Sequence, residues 1–405
     1  MQAVADLELP ALDYMDPDLT GPRFHQVLRD LREESWVARA EPAGYAVLDR
    51  EAVTFFLRTQ SATFPGERVH EALGVTDGPL HERIQKNLLG LNGEDHRRQR
   101  KLVQPAFTPP AADRHRPAMR EFLEQLWEPV AGAGRCDFAE VFAAQLPSLV
   151  IARLMGAPLE DAPRMAVWAN LIQSQFDPVK IMSRREEIER AAVEFGAYSY
   201  ELLKARQKTP SDDLISQLIA AEEEGDRLSE EECVSLVTAV LVGGVDTTQA
   251  QLAQGMRLFA EHPDQWRLLA EDPSLAPAAA EEVLRHEPIT PFTARIALED
   301  IEFRDVLFPE GTIVIAASAA ANRDPAGWED ADDFDITADR GRAKPLTFGA
   351  GPHFCLGANL ARAELQEAFT FLAPRMPGLA LDGEPEFDTP FGIYGMKSLP
   401  VRWDA

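Results

Sequence analysis

The sequence is poor in cysteine and in long apolar runs, and no leader is visible. Three cysteines, Cys136, Cys233 and Cys355, are too few and too widely spaced for a disulfide framework or a CxxC metal site. No run of about 18 apolar residues occurs, and residues 1–22 lack a basic segment followed by an apolar core. We therefore expect a soluble, cytoplasmic protein without a membrane span or a signal peptide.

Basic residues are also scarce relative to acidic ones. The chain has 40 Lys and Arg against 67 Asp and Glu, a net charge of −27, which disfavours general nucleic-acid binding. Internal repeats, low-complexity tracts and Gly/Ser linkers are absent. With 45% apolar residues there is ample material for a core. We expect one domain over residues 1–405.

Helical periodicity dominates the chain. We predict a strand at 43–49, and β-prone runs at 293–303, 312–317 and within 379–404. Residues 66–93 show no clear pattern. The predicted helices cover 23–40, 95–107, 112–131, 138–155, 160–175, 184–206, 212–224, a long central helix, 251–261, 263–271, 275–286 and a segment from Leu356. The expected fold class is mainly α with small segregated β-sheets.

Cys355 lies between a glycine-rich turn and a helical pattern. Gly349 and Gly351 allow a tight loop under a flat ligand, and Gly357 lets the helix start lie close to it. A cysteine just before a helix meets exposed N–H groups and the positive end of the helix dipole, which favour the metal-binding thiolate. For a lone cysteine, a buried structural thiol is the alternative.

The central helix has a clear start and an unusual middle. Ser229 and Glu232 form a capping-box pattern, and residues 234–242 are apolar almost all round, as in a buried helix.

Two adjacent glycines, Gly243 and Gly244, then cost roughly 1 kcal/mol each relative to alanine, so something must require them. Two uses would explain the glycines: close approach of a flat ligand, or a helix–helix contact at small residues. The following Asp246 and Thr247 pair an acid with an alcohol, which is suited to relaying protons.

A later helix carries Glu282 and Arg285, three residues apart on one face. This spacing allows an ion pair. Taken alone, a surface pair worth under about 1 kcal/mol is the alternative.

Three motifs, in this order, resemble those of the cytochrome P450 family: Gly243-Gly244-x-Asp246-Thr247, Glu282-x-x-Arg285 and Phe348-Gly349-x-Gly351-x-His353-x-Cys355-x-Gly357. They are similar to the oxygen-activation motif, the buried pair that braces the cysteine loop, and the haem-ligand signature. The resemblance covers the whole chain and implies the cytochrome P450 fold, with haem b (iron protoporphyrin IX) as cofactor and Cys355 as the iron ligand.

The resemblance also assigns further roles. The haem propionates would be held by His96, Arg100, Arg295 and His353, and the haem would contact Gly243, Gly244, Phe348, Gly349 and Gly357. The family usually has a third brace residue soon after the segment 333–337, where this chain has Ala338. We expect Arg340, rather than Arg342, to take that place.

The substrate pocket implied by the resemblance is mainly apolar, which suggests a hydrophobic small molecule, although the same residues could be ordinary core. It draws on the 66–93 region, with Leu73, Val75, Leu80, Ile84, Leu88 and Leu89, and on Ala239, Val242, Ile289, Pro291, Phe292, Thr293, Gly392 and Ile393.

The electron supply must come from elsewhere, because the chain has no flavin or nicotinamide fingerprint. Basic clusters suggest a docking face for an acidic ferredoxin, itself served by a reductase, with solubilising charge as the alternative. These clusters comprise Arg97, Arg98, Lys101, Arg114, Arg116, Arg340, Arg342 and Lys344.

The resemblance thus implies a haem-thiolate monooxygenase that inserts one oxygen atom of dioxygen into a hydrophobic substrate, by hydroxylation or epoxidation, with Asp246 and Thr247 relaying protons. Two alternatives are a peroxide-driven peroxygenase or decarboxylase, which tends to lose the acid–alcohol pair, and a non-catalytic binding module, which commonly loses the cysteine or the threonine. This chain keeps all of these residues.

Overall fold

The computed structural model describes residues 2–72, 74–223, 226–341, 343–390 and 392–404. Leu73 and Arg342, singled out in the sequence, lie outside the described residues. Contacts divide the chain into two compact units. Unit 1 comprises Met1–Pro65, Glu281–Cys355 and Phe387–Gly395, and unit 2 comprises Gly66–Ala280, Leu356–Glu386 and Met396–Ala405. The single domain expected over 1–405 stays a prediction.

The described α-helices are α1 (Gly21–Glu34), α2 (Arg50–Arg58), α3 (Glu67–Ala72), α4 (Gly78–Lys86), α5 (Gly93–Val103), α6 (Pro109–Asp113), α7 (Arg116–Trp127), α8 (Leu146–Met155), α9 (Ala162–Gln173), α10 (Pro178–Lys208), α11 (Leu214–Ala220), α12 (Glu230–Glu261), α13 (Pro263–Glu271), α14 (Ala276–His286), α15 (Ser318–Ala321) and α16 (Ala358–Leu372).

The described strands are β1 (Gln2–Ala3), β2 (Ala11–Asp13), β3 (Val37–Glu41), β4 (Tyr45–Val47), β5 (Ala62–Thr63), β6 (Arg135–Asp137), β7 (Glu222–Glu223), β8 (Asp226–Arg227), β9 (Phe292–Ala297), β10 (Ile301–Phe303), β11 (Val306–Phe308), β12 (Ile313–Ala317), β13 (Ala380–Leu381), β14 (Glu386–Phe387), β15 (Met396–Ser398) and β16 (Pro400–Arg402).

Unit 1 is built on a six-stranded sheet in the order β2-β3-β4-β12-β9-β5. Strands β2 and β3 pair in parallel, as do β4 and β12, whereas the other neighbours are antiparallel. A second sheet has the order β1-β11-β10.

Strand β12 shows how the large sheet is buried. Because side chains alternate along a strand, Val314 and Ala316 enter one apolar cluster and Ile315 and Ala317 enter another. The first cluster includes Phe56 of α2. The sheet therefore has a core on each face.

Unit 2 is mostly helical and is organised around α12. This helix packs against α8, α9 and α10, while α16 packs against α7 and α12. Small sheets, β13-β16-β6 and β7-β8, complete the described parts of the unit. By length and composition α12 could span a membrane, but 56% of its most apolar window is buried, as in the core helix of a soluble protein.

Most predicted elements are present, some with identical bounds: α13 occupies 263–271 and α14 ends at His286. Three predictions were wrong. The helix predicted over 23–40 ends at Glu34, because Ser35 is extended and β3 pairs with β2 and β4. The separate helix at 251–261 is the continuation of α12.

The helix predicted over 212–224 ends at Ala220 and gives way to the β7-β8 pair. The unassigned 66–93 region contains α3 and α4. Pro79 lies in the first turn of α4, where a missing N–H costs nothing.

Candidate active site

The loop that carries Cys355 is a compact, hydrogen-bonded turn in unit 1. The Cys355 N–H donates to Phe348 O at 2.9 Å, and the Gly349 N–H donates to Leu346 O at 2.8 Å. Gly349 and Gly351 have φ of +69° and +72°, values that favour glycine. A Cβ on Gly351 would lie 2.7 Å from Leu57 O, so this glycine also permits close packing on the end of α2.

Other residues of the predicted signature surround this turn. The rings of Phe348 and Phe354 meet edge to face with centroids 6.3 Å apart. His353 is half-buried in the short helical turn Gly351–His353, and Gly357 precedes α16.

The three cysteines differ in their surroundings. Cys355 is half-buried. Burial raises the pKa of Cys136 to about 12 and that of Cys233 to about 11, with neighbouring acids adding to both shifts. Those two groups are therefore neutral thiols at physiological pH, as expected of structural cysteines.

We call the group formed by Glu282, Arg285 and Arg340 the arginine brace. Glu282 accepts two hydrogen bonds from Arg285, at 2.8 and 2.7 Å, and two from Arg340, at 3.2 and 2.6 Å. A fifth comes from the Asp335 N–H at 3.1 Å. The predicted contact of Arg340 with Glu282 is thus present, and the surface-pair alternative is wrong because Glu282 and Arg285 are only 2% and 1% exposed.

The brace is tied to the segments around it. Arg285 donates to the carbonyls of Asn322, Ala331 and Asp333 at 3.0, 2.6 and 2.7 Å. Burial alone would raise the pKa of Glu282, but hydrogen bonds and charge from its arginines outweigh burial, so the pKa is lowered. The carboxylate is therefore ionised and fully engaged.

A second set of bonds joins the brace helix to the cysteine loop within unit 1. Thr347 Oγ1 donates to Leu284 O of α14. Asn322 accepts from the Leu346 N–H at 2.8 Å and donates to Thr347 Oγ1 at 3.0 Å. This junction holds the segment just before the cysteine turn.

Arg295 on β9 is a buried cation. It is 4% exposed, and its guanidinium donates to Ala294 O at 2.9 Å. Burial lowers its pKa to about 10, and no carboxylate of a described residue forms an ion pair with it. A buried guanidinium without an anionic partner suits a ligand carboxylate such as a haem propionate.

In unit 2, α12 begins with the predicted capping box. Ser229 Oγ accepts from the Glu232 N–H at 3.2 Å, and Glu232 accepts from the Ser229 N–H at 2.8 Å. Glu232 also pairs with Arg98 and accepts from Gln99 at 3.3 Å, which ties α5 to α12.

The two glycines of α12 serve different purposes. A Cβ on Gly244 would lie 2.5 Å from Ile151 Cδ1, so Gly244 makes the helix–helix contact that was one alternative. Gly243 is exposed, with nothing within 4 Å of such a Cβ. It can therefore receive a flat ligand. Thr247 Oγ1 donates to Gly243 O, and Asp246 beside it is half-buried.

His96 and Arg100 lie one turn apart on α5. His96 is 3% exposed, and its pKa is lowered by burial, then by the charges of Arg100 and Arg97. Arg100 is half-buried on the same helix face. Their role as donors to a haem propionate stays a prediction.

The predicted substrate residues are placed unevenly. In unit 2, Leu88 and Val242 are buried, Ala239 is half-buried and Leu89 is 37% exposed. Val75 and Leu80 pack with Ile181 and Ile188, which supports the ordinary-core alternative for these two.

In unit 1, the Tyr394 N–H donates to Ile289 O at 2.7 Å. This bond brings the segment of Ile289, Pro291, Phe292 and Thr293 to that of Gly392 and Ile393. Phe292 packs against Phe24, with ring centroids 5.8 Å apart, and so contributes to the core.

Several of the predicted docking cations are already engaged. Arg98 pairs with Glu232, Arg116 with Asp113 and Glu367, and Arg340 belongs to the brace. Arg97, Lys101, Arg114 and Lys344 are exposed.

Two buried acidic groups were missed in the sequence. Glu287 accepts from Arg323 at 3.1 Å and lies 2.9 Å from His25 Nε2. Glu364 on α16 is 1% exposed, and burial raises its pKa well above the ordinary value. Glu287 had no spacing signal, since Arg323 and His25 are distant from it in the chain.

Comparisons with known proteins agree with this geometry. The family model described as Cytochrome P450 matches residues 47–372. The chain is 38% identical to luteothin monooxygenase of Streptomyces thioluteus over 98% of this chain and 97% of that protein. It is also 38% identical to mycinamicin IV hydroxylase/epoxidase of Micromonospora griseorubida, covering 80% and 81% of the two chains.

Solved structures give the same answer. The crystal structure of CalO2 superposes with a TM-score of 0.88 and 28% identity over 98% of this chain and 99% of that one. The crystal structure of P450BioI in complex with hexadec-9Z-enoic acid ligated acyl carrier protein superposes with a TM-score of 0.87 and 32% identity. The match covers 94% of this chain and 98% of that one. The chain belongs to the cytochrome P450 family and has its fold. It is an oxidoreductase of the haem-thiolate monooxygenase class.

Proposed function

We propose that this enzyme inserts one oxygen atom of dioxygen into a hydrophobic small molecule, by hydroxylation or epoxidation, with electrons from a ferredoxin and its reductase. Haem b is the proposed cofactor and the cytoplasm the proposed location. The names of the relatives, a monooxygenase and a hydroxylase/epoxidase, support the reaction class.

The residues present fit a haem. Cys355 is the half-buried thiol, Arg295 is a buried cation without a carboxylate, and Gly243 offers an open helix face. When bound, haem supplies the iron at which dioxygen is activated, with the thiolate favouring O–O cleavage. Arg295, His353, His96 and Arg100 are proposed to neutralise the propionates, and Phe348, Gly349, Gly243 and Gly357 to line the group.

The observation that carries the proposal is the state of Asp246 and Thr247. The Thr247 hydroxyl donates a hydrogen bond to Gly243 O, which leaves the lone pairs of Oγ1 available to accept another hydrogen bond. The carboxylate of the neighbouring Asp246 can take up a proton from solvent, and the resulting carboxyl group can pass it to that hydroxyl. A dioxygen-dependent reaction needs such delivery, whereas a peroxide-driven one does not.

Thr247→Val removes the hydroxyl and tests this role. We expect electron consumption with ferredoxin and reductase to continue while product per electron falls about a hundredfold, the lower end of the range for an acid–base group. Measuring product and peroxide release against reductant oxidised checks it.

Thr238→Val is the matched control. Thr238 lies on the same helix and donates to Val234 O at 2.8 Å, the same four-residue back-bond, but it is outside the motif. The coupling of Thr238→Val, that is, the product formed per electron consumed, should equal that of the wild type. Full turnover with peroxide alone, together with unchanged coupling in Thr247→Val, would favour the peroxygenase alternative.

The proposed donor surface is restricted by the ion pairs found. In unit 2 it uses the exposed cations Arg97 and Arg114, because Arg98 and Arg116 are engaged in ion pairs. An acidic ferredoxin would be attracted by these charges in an otherwise acidic protein.

A further inference from the structure

Two arginines, Arg83 and Arg295, share a feature that sets them apart. Burial lowers the pKa of each to about 10, and neither forms an ion pair with a carboxylate of the described residues. Arg295 has a proposed partner in a haem propionate. Arg83, on α4, has none.

Helix α4 directs Arg83 inward. Leu80 and Ile84, three residues before and one after it, are 0% and 2% exposed and mark the buried side of the helix. Arg185 donates to Asp77 O at 2.9 Å just before α4, and Ser235 Oγ donates to Lys86 O at 2.8 Å at its end. The helix is thus held at both ends.

The contact with Ser235 also locates α4 against α12. Ser235 lies one helical turn before Ala239 and two turns before Val242 and Gly243, so the predicted substrate and haem residues continue along this side of α12. Arg83 belongs to the helix that docks there.

Two of the three guanidinium nitrogens of Arg83 lack acceptors among the described residues. Its Nε and Nη1 atoms are buried and have no hydrogen-bond partner among the described residues. The ring nitrogens of His70, which is 1% exposed, also lack partners within the described chain. The acids of α3, Glu67 and Glu71, lie with their oxygens within 4.8 Å of a His81 nitrogen, and neither forms an ion pair with Arg83.

Arg83 as a whole is half-buried, but its Nε and Nη1 atoms are shielded from water. Charge removed from water without a counter-charge is costly, and an anionic ligand would offset that cost. We propose that Arg83 binds a carboxylate or phosphate group carried by an otherwise apolar substrate, and that a His70 ring N–H adds a second donor. This proposal rests on the proposed function, since it names the substrate class of the same enzyme. The planar fork of arginine suits both anions.

Calorimetric titration of the purified haem-containing enzyme tests it. Octanoate, decanoate and dodecanoate are each compared with the alcohol of equal length, and dodecyl phosphate is added to distinguish the anions. We expect at least one anion to bind about tenfold or more tightly than its alcohol, the range of a charge-assisted bond.

Arg83→Gln should abolish that preference while the alcohols bind as before. Arg68→Gln is the matched control, because Arg68 is an exposed arginine on the adjacent helix α3, and its preference should match the wild type. Equal binding of every anion and its alcohol, or a preference that survives Arg83→Gln, overturns the proposal.

Thermal unfolding without ligand gives an independent readout. Arg83→Met removes an uncompensated buried charge and should raise the midpoint, whereas a lowered midpoint would assign Arg83 a structural role and overturn the proposal. Failure of the proposed function is distinguishable, because it would show as full turnover with peroxide alone and unchanged coupling in Thr247→Val, whereas calorimetry reports the anion preference without turnover.

Discussion

The arginine brace of unit 1 and the α3–α4 segment of unit 2 (67–86) both bury charged groups, but they satisfy them differently. Glu282 accepts five hydrogen bonds, and the arginines around it reach several carbonyls. In the α3–α4 segment, Arg83 and His70 have buried nitrogens without described partners. A saturated network supports structure, whereas an unsatisfied one leaves hydrogen-bonding capacity for water, an ion or a ligand.

The largest expected effect is that of Glu282→Gln, which removes the carboxylate at the centre of the arginine brace. The change leaves two buried guanidinium groups without their counter-charge, so we expect a loss of about 3–5 kcal/mol in unfolding free energy, or failure to fold. Denaturant unfolding measures it. Glu329→Gln is the control, because it makes the same chemical change at an exposed residue, and its stability should equal that of the wild type. A loss under about 1 kcal/mol would show that the brace is dispensable.

The pH dependence of stability sharpens the comparison. His70 and His286 both have pKa values lowered from 6.5 to about 4, chiefly by burial, and next by His81 for His70 and by Arg323 for His286. Since each takes up its proton more readily when unfolded, its contribution is present above pH 6.5 and is lost as pH falls towards 4. Each accounts for up to about 3 kcal/mol.

Unfolding free energies of His70→Leu and His286→Leu at pH 8 and pH 5 check this. Each variant should lose less stability than wild type on acidification. At pH 8, His286→Leu should be the more destabilised, because Asp332 O and Arg323 bond its ring, while the His70 nitrogens have no described partner. Parallel curves for wild type and both variants would contradict the assigned protonation states.

The smallest expected effect is a difference in stability between alanine substitutions at two glycines of the cysteine loop, Gly349 and Gly351. Gly349→Ala imposes only a positive φ and should cost about 1 kcal/mol. Gly351→Ala adds a 2.7 Å clash with Leu57 O, so it should cost more and loosen haem retention. Haem loss rates and unfolding midpoints of the two variants give the comparison; equal values would mean that the loop can move away from α2.

The sequence revealed features whose partners are close in the chain. The capping box of Ser229 and Glu232, the Glu282–Arg285 pair and the turn before Cys355 all follow from spacing. The role of Arg340 as the third brace residue could be predicted only from the family resemblance, which three motifs supported.

Tertiary contacts account for what was missed. Ile151 against Gly244, Leu57 against Gly351, and the burial of Arg83 depend on residues far apart in sequence or on packing. Strand β3 was taken for helix because its apolar residues are compatible with both periods, and pairing with β2 and β4 decided it.

The junction of Asn322, Thr347 and Leu284 has a practical consequence for redesign. Since it joins the brace helix to the turn before the thiolate, random libraries should spare residues 281–355 and concentrate diversity in α4. Codons at Arg83 and its neighbours offer a route to altered selectivity that leaves the sulfur-bearing scaffold intact.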